Sequence, residues 1–204
     1  MSRLAKAGIV TLVTVSVSAT SAQAFAASPA EGSSARGPVT GAAVQPLSAA
    51  EVADLERRYP EKAKRLRQTV STGAEAVAVK IVNVNSGKCL AIGSSSTAQG
   101  AHAIQWDCIA SSPGQVWVLD GYHILNYNSG LYLAIGSSST ENGAHALQWS
   151  YTGSNGQRWY ADGDRHLINM NSDKYLAIGS SSTENGAHAL QWSYTGSNGQ
   201  RWNY

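Results

Sequence analysis

The chain has one phenylalanine, Phe25, two methionines and two cysteines in its 204 residues, and only 14% of its residues are charged. Its chargeless apolar stretch, Ala7 to Ala19, runs for 13 residues, against the about 20 that a bilayer span needs, which excludes a membrane anchor there. Lys6 and Arg3 precede that stretch, and small residues follow it at Ala22-Gln23-Ala24 and Ala24-Phe25-Ala26. This is the layout of a secretory signal peptide over residues 1–26, and it predicts a secreted, extracellular protein. Removing Arg3 and Lys6 lowers the basic count from 15 to 13, equal to the 13 acidic residues. A chain without net charge gives no support for a nucleic-acid or anionic-membrane partner.

What remains is rich in Trp (six), Tyr (nine), Ser and Gly, a composition that favours a loop-rich β fold with aromatic-lined surfaces. Residues 27–46 carry Ala, Ser, Gly and Pro without a hydrophobic period and read as a flexible linker. Ser48 stands three residues before Glu51, the spacing of a capping box. Val52, Leu55, Tyr59, Ala63, Leu66 and Val70 then recur at three-to-four-residue spacing among charged residues. They predict a short amphipathic helix over 48–70, kinked or broken near Pro60, acting as a spacer or a strap on the main domain.

From residue 77 onward helix periodicity is absent and the sequence repeats itself. Trp106, Trp149 and Trp192 lie 43 apart, and Trp117, Trp159 and Trp202 lie 42 and 43 apart. Tyr132 to Trp159 recurs without a difference as Tyr175 to Trp202, over 28 residues. The copies span about 79–120, 121–162 and 163–204. Each offers four short strand candidates between turn residues, in the first copy Val79 to Val84, Cys89 to Ile92, Ala103 to Trp106 and Gln115 to Leu119. Propeller blades also have four strands, but propellers typically close with about four to eight blades. Three such units can close instead as a threefold barrel, which hides the sheet edges.

Cys89 and Cys108 both fall in the first copy, and their equivalents are Tyr132 with Tyr151 and Tyr175 with Tyr194. Because the two positions change together, they are expected to touch: a disulfide in the first copy, a packed tyrosine pair in the others. Closing a loop of about 20 residues is worth about 3 kcal/mol by chain entropy.

Cys89-Leu90-Ala91-Ile92, Ser96-Thr97, Gly100, Gln105-Trp106 and the closing Gln115-Val116-Trp117 together resemble one subdomain of a ricin B-type lectin. Gln157-Arg158-Trp159 and Gln200-Arg201-Trp202 complete three Gln-x-Trp motifs. The resemblance covers residues 77–204 and implies an all-β β-trefoil of three four-stranded repeats in a secreted bacterial protein. It also implies up to three shallow sugar sites, one per repeat. The closing Trp117, Trp159 and Trp202 are then core residues, while Trp106, Trp149 and Trp192 align with the aromatic that stacks on a sugar. The family's hydroxyl-binding Asp is replaced by Ala91, Ala134 and Ala177, and the Asn before the Gln of Gln-x-Trp by Gly114, Gly156 and Gly199. Asn155, Asn198, Asn142 and Asn185 stand near enough in sequence to serve as substitute amides.

The serine run Gly93 to Thr97 and its copies read as solvated hairpin loops. His102, His145 and His188 follow Gly-Ala in every copy. They could share a metal ion only by pointing inward together, and no second ligand set accompanies them, so separate surface or hairpin-packing histidines are expected, with no metal or cofactor. Ser, His and Asp recur at equivalent places rather than in one asymmetric cluster, and no carboxylate pair suits glycoside hydrolysis, so no enzyme is expected. The expected function is a non-catalytic, lectin-like module for a glycan or polysaccharide. The alternative is a β-trefoil protein-interaction or inhibitor domain that has lost sugar binding.

Overall fold

The computed structural model describes residues 35–41, 44–69, 76–110 and 112–204. Residues 1–34, where a signal peptide and the start of a linker are expected, and Val70 lie outside the described residues. In each repeat the second and third strands form an antiparallel hairpin: Cys89–Ile92 with Ala103–Trp106, Tyr132–Ile135 with Ala146–Trp149, and Tyr175–Ile178 with Ala189–Trp192. The last strand of each repeat pairs with the first strand of the next. Trp117–Asp120 joins His123–Asn126, and Trp159–Ala161 joins Leu167–Asn169. Trp202–Asn203 returns to Val82–Asn83 and closes the ring. The result is an all-β β-trefoil.

Its core repeats with the sequence. Trp117, Trp159 and Trp202 are fully buried, and each indole N–H donates to a strand carbonyl, at Leu90 (2.8 Å), Leu133 (3.0 Å) and Leu176 (2.9 Å). A buried indole therefore leaves no unsatisfied donor. Ala103, Ala146 and Ala189, also fully buried, let the three hairpins approach closely, and single bridges His102↔Leu147, Ile104↔His188 and His145↔Leu190 join them. Buried Gln105, Gln148 and Gln191 lock one repeat to another: Gln148 Nε2 donates to Ser96 and Ala98 carbonyls at 2.9 Å, and its Oε1 accepts from Ser129 Oγ at 2.7 Å.

The first copy departs from the expected strands. Val79 to Val84 divides into Val77–Val79, paired with Trp117–Asp120, and Val82–Asn83, paired with the last strand of the chain. One segment thus serves two sheets, which local patterning cannot reveal. Gln115 sits in a 3-10 turn, Pro113–Gln115, so the closing strand starts at Trp117.

The segment before the helix is also not the free linker that its composition suggests. Gly37–Pro38 pairs with Tyr160 and Ala161, Val39 is fully buried in the main core, and Pro46 bridges Val79. Backbone hydrogen bonds to sheet edges hold it, including Leu47 N to Ala78 O at 2.8 Å, and these require no hydrophobic period. Beyond it lie two helices, α1 (Ala49–Arg58) and α2 (Pro60–Thr69). Ser48 and Glu51 make both bonds of the capping box. Tyr59 ends α1, and Pro60 opens α2 at a position where its missing N–H costs nothing. Leu55, Ala63 and Leu66 pack on Val116, Val118, Leu125, Tyr127 and Tyr132, so the helical pair is a strap over the junction of repeats 1 and 2.

The disulfide Cys89–Cys108 is formed. At the equivalent positions the rings of Tyr132 and Tyr151 lie 5.1 Å apart, and those of Tyr175 and Tyr194 lie 5.0 Å apart.

Candidate functional site

Each lobe carries a cavity in the same place, of about 320 Å³ in repeat 1, 340 Å³ in repeat 2 and 290 Å³ in repeat 3. In repeat 2 the floor is Ala134, Ile135 and Leu147, one wall is the turn Gly136–Ser138, another is Thr152, Ser154 and Gln157, and Trp149 borders the mouth. No lining residue of the three cavities is charged. A larger cavity of about 480 Å³, between the segment before the helices and repeats 2 and 3, includes Asp162, Arg165 and Tyr204.

Trp106, Trp149 and Trp192 end the hairpin strands and keep 42, 43 and 43% of their surface exposed, although large aromatics usually bury most of theirs. The loop of the preceding repeat supports each indole. A side chain at Gly100 would stand 3.4 Å from the Trp149 ring, and the residue has a φ of +79° that glycine tolerates best. Gly143 supports Trp192 and Gly186 supports Trp106 in the same way.

The serine run occupies the expected hairpin loop, with Ser94 and Ser95 exposed, and there it has a defined shape. It folds into 3-10 turns, Gly93–Ser95, Gly136–Ser138 and Gly179–Ser181, in which two serines per copy take left-handed φ of 48 to 54°. Such a backbone costs about 1–2 kcal/mol for a non-glycine residue. The turns are held by the amide of an asparagine from the next repeat in the ring: Asn128 Nδ2 to Ser95 O (2.6 Å), Asn171 to Ser138 O (2.8 Å) and Asn85 to Ser181 O (2.9 Å). The glycines that stand where the family has Asn are required by this loop. A Cβ on Gly156 would lie 2.5 Å from Ser138 Oγ, with 2.6 Å and 2.7 Å at Gly114 and Gly199. A serine hydroxyl reaching from the opposite wall thus fills that space.

None of the four asparagines offered as substitute amides lines a cavity. Asn155 and Asn198 open 3-10 turns and accept backbone bonds from Arg158 and Arg201 at 3.1 Å. Asn142 Oδ1 accepts from Ser193 N at 2.9 Å, and Asn185 Oδ1 accepts from Asp107 N at 2.9 Å. Both reach across to the residue after the next lobe's tryptophan and fix the strand end that carries it. Asp107 itself is held below the usual carboxylate range by hydrogen bonds from Lys88 and Asn185. Thr152, Thr195, Ser154 and Ser197, which no motif singles out, also line the cavities; their only signal in the sequence is the 28-residue identity. Repeat 1 has Ile109 in place of that threonine. Gln157 lines the wall, but its Oε1 accepts from Thr152 N at 2.7 Å and its Nε2 donates to Ser150 O at 2.7 Å, so it closes the wall loop.

His102, His145 and His188, expected as separate residues, converge. The Nδ1 of His102 lies 3.1 Å from that of His145 and 3.2 Å from that of His188. The cause is the cross-repeat bridging at these residues, which gathers equivalent positions around the pseudo-threefold axis. Burial, and then the neighbouring His188 and His102, hold the His145 imidazole below its ordinary pKa.

A family model described as a ricin-type β-trefoil lectin domain matches residues 77–202. The chain belongs to that family. Among solved structures, this lectin domain is similar to ThreeFoil, a designed 3-fold symmetric protein, with 35% identity and a TM-score of 0.58 over 62% of this chain and 96% of that one. It is also similar to an exo-β-1,3-galactanase from Clostridium thermocellum, with 29% identity and a TM-score of 0.56 over 66% of this chain and 30% of that one. The earthworm R-type lectin C-half, solved in complex with GalNAc, shares the fold at 21% identity, with a TM-score of 0.54 over 61% of this chain and 95% of that one. No curated protein matches this lectin domain in sequence. No helix among its described residues is long and apolar enough to cross a membrane.

Proposed function

We propose that the chain is a secreted, non-catalytic carbohydrate-binding module with three shallow sites, of which those in repeats 2 and 3 are equivalent. The observation that carries this reading is the threefold recurrence of one cavity in which an exposed indole faces a wall of hydroxyls. A pyranose stacks its C–H face on the indole, while Ser and Thr hydroxyls, which both donate and accept, serve its hydroxyls. The left-handed serines support the reading further, because strain of that kind persists where a site over-determines it. Export is supported by the layout of residues 1–26 and by the disulfide, which suits an oxidising compartment.

The lining indicates the class of sugar. Without a carboxylate, a vicinal diol finds no charged acceptor, and a charged sugar would find no counter-ion. The methyl-lined floor of Ala134, Ile135 and Leu147 suits an apolar substituent, as in an acetamido or 6-deoxy sugar.

A glycan array that includes plant and microbial wall polysaccharides tests this. The expected result is binding to neutral N-acetylated or 6-deoxy glycans, and, on titration with the free sugar, loss of one of the two equivalent sites in Trp149→Ala and of the other in Trp192→Ala. Silence across the array would overturn the reading in favour of a protein-interaction domain.

A further inference from the structure

We propose that His102, His145 and His188 form a binding site for one divalent late-transition-metal ion, with Zn²⁺ the first candidate, on the pseudo-threefold axis of the trefoil. One nitrogen from each of the three rings can be chosen so that all lie within 4.8 Å of one another. Two of the Nδ1 contacts, at 3.1 and 3.2 Å, meet at His102. Protons alone satisfy this arrangement poorly. A ring nitrogen carries either one hydrogen or one lone pair, so His102 Nδ1 can make one good hydrogen bond and is left with a second close nitrogen. A cation at the centre accepts all three lone pairs.

The spacing also suits a metal. Nitrogens about 2.0–2.1 Å from a tetrahedral zinc ion lie about 3.3–3.4 Å apart, close to the two contacts observed. The backbone is fixed in advance: the carbonyls of His102, His145 and His188 accept from Gly93, Gly136 and Gly179 at 3.2, 3.0 and 3.0 Å, and the next residue of each strand is a fully buried alanine. Little ordering is then left for the ion to impose. All-imidazole ligation selects zinc, copper or nickel over magnesium or calcium. None of the three histidines lines a sugar cavity, and the cluster reaches solvent, which leaves a fourth position for water.

Isothermal titration of ZnCl₂ into the untagged, chelator-stripped full chain tests the site, with MgCl₂ as the control and Co²⁺ absorption reporting tetrahedral ligation. The expected result is one Zn²⁺ per chain, no Mg²⁺ binding, and a thermal midpoint that rises with Zn²⁺. His145→Ala is expected to weaken binding by about 100-fold or more, since loss of an outer-shell partner alone costs about 10- to 100-fold, and His188→Ala to do the same, with circular dichroism unchanged in both. Absence of a one-to-one isotherm, or full binding retained in both variants, would overturn the proposal.

Discussion

At the residue scale, one glycine shows how a lost family residue is accommodated. Position 156 cannot simply regain a side chain, because the Ser138 hydroxyl already occupies its space, with the Ser138 Cβ only 3.1 Å away. Gly156→Ala is therefore expected to push the serine turn outward, destabilising the fold by about 1–3 kcal/mol as overpacking does and abolishing binding at repeat 2 alone. Adding Ser138→Gly should restore most of the stability, measured by urea unfolding. If the single variant is as stable as the parent, the packing described for this wall is wrong. The sequence displayed the glycine and the serine but not their contact, because 18 residues separate them and turn patterning carries no information on facing walls.

At the element scale, the helical strap owes its place to one substitution within the Gln-x-Trp motifs. The middle residue is Arg158 and Arg201 in two copies and Val116 in the first, where it is fully buried under Leu55, Ala63 and Leu66. Val116→Arg would place a charge in that interface, so we expect α1 and α2 to detach while the ring of strands stays closed. Limited proteolysis should then cut within 48–69 at a rate well above that of the parent, with near-UV tryptophan signals preserved. Unchanged protection of the helices would refute the assignment. The capping box and the break at Pro60 were legible in the sequence because they are local; the docking face was not, since it is composed of residues from two repeats. The segment before the helix, misread as free linker, escaped for a related reason: its bonds run from backbone to backbone and leave no trace in side-chain pattern.

At the scale of the whole molecule, closure through Trp202–Asn203 and Val82–Asn83 makes the three lobes parts of one rigid ring. Two equivalent sites on such a body bind a multivalent glycan through effective concentration, with avidity about 10²- to 10⁴-fold above the single-site affinity. A polymer carrying the preferred sugar should therefore bind the parent much more tightly than it binds Trp192→Ala, while the free monosaccharide should distinguish the two by little more than site count in surface plasmon resonance. Equal polymer affinity for both proteins would show that the two sites do not act together. The same symmetry that multiplies the cavities around the rim brings three histidines to the centre.

By itself the sequence determined the repeat, the cysteine pairing and the capped and broken helix, each written in spacing, which is preserved when a unit is copied. Its resemblance to the ricin B-type lectins, rather than spacing, told the buried Gln-x-Trp tryptophans from the exposed indoles. Only the tertiary structure decided which side chains face one another across copies: serine against glycine, asparagine of one lobe against the strand end of the next, and three imidazoles around an axis. Those contacts depend on how the ring closes, and closure is a property of three repeats together that no single repeat contains.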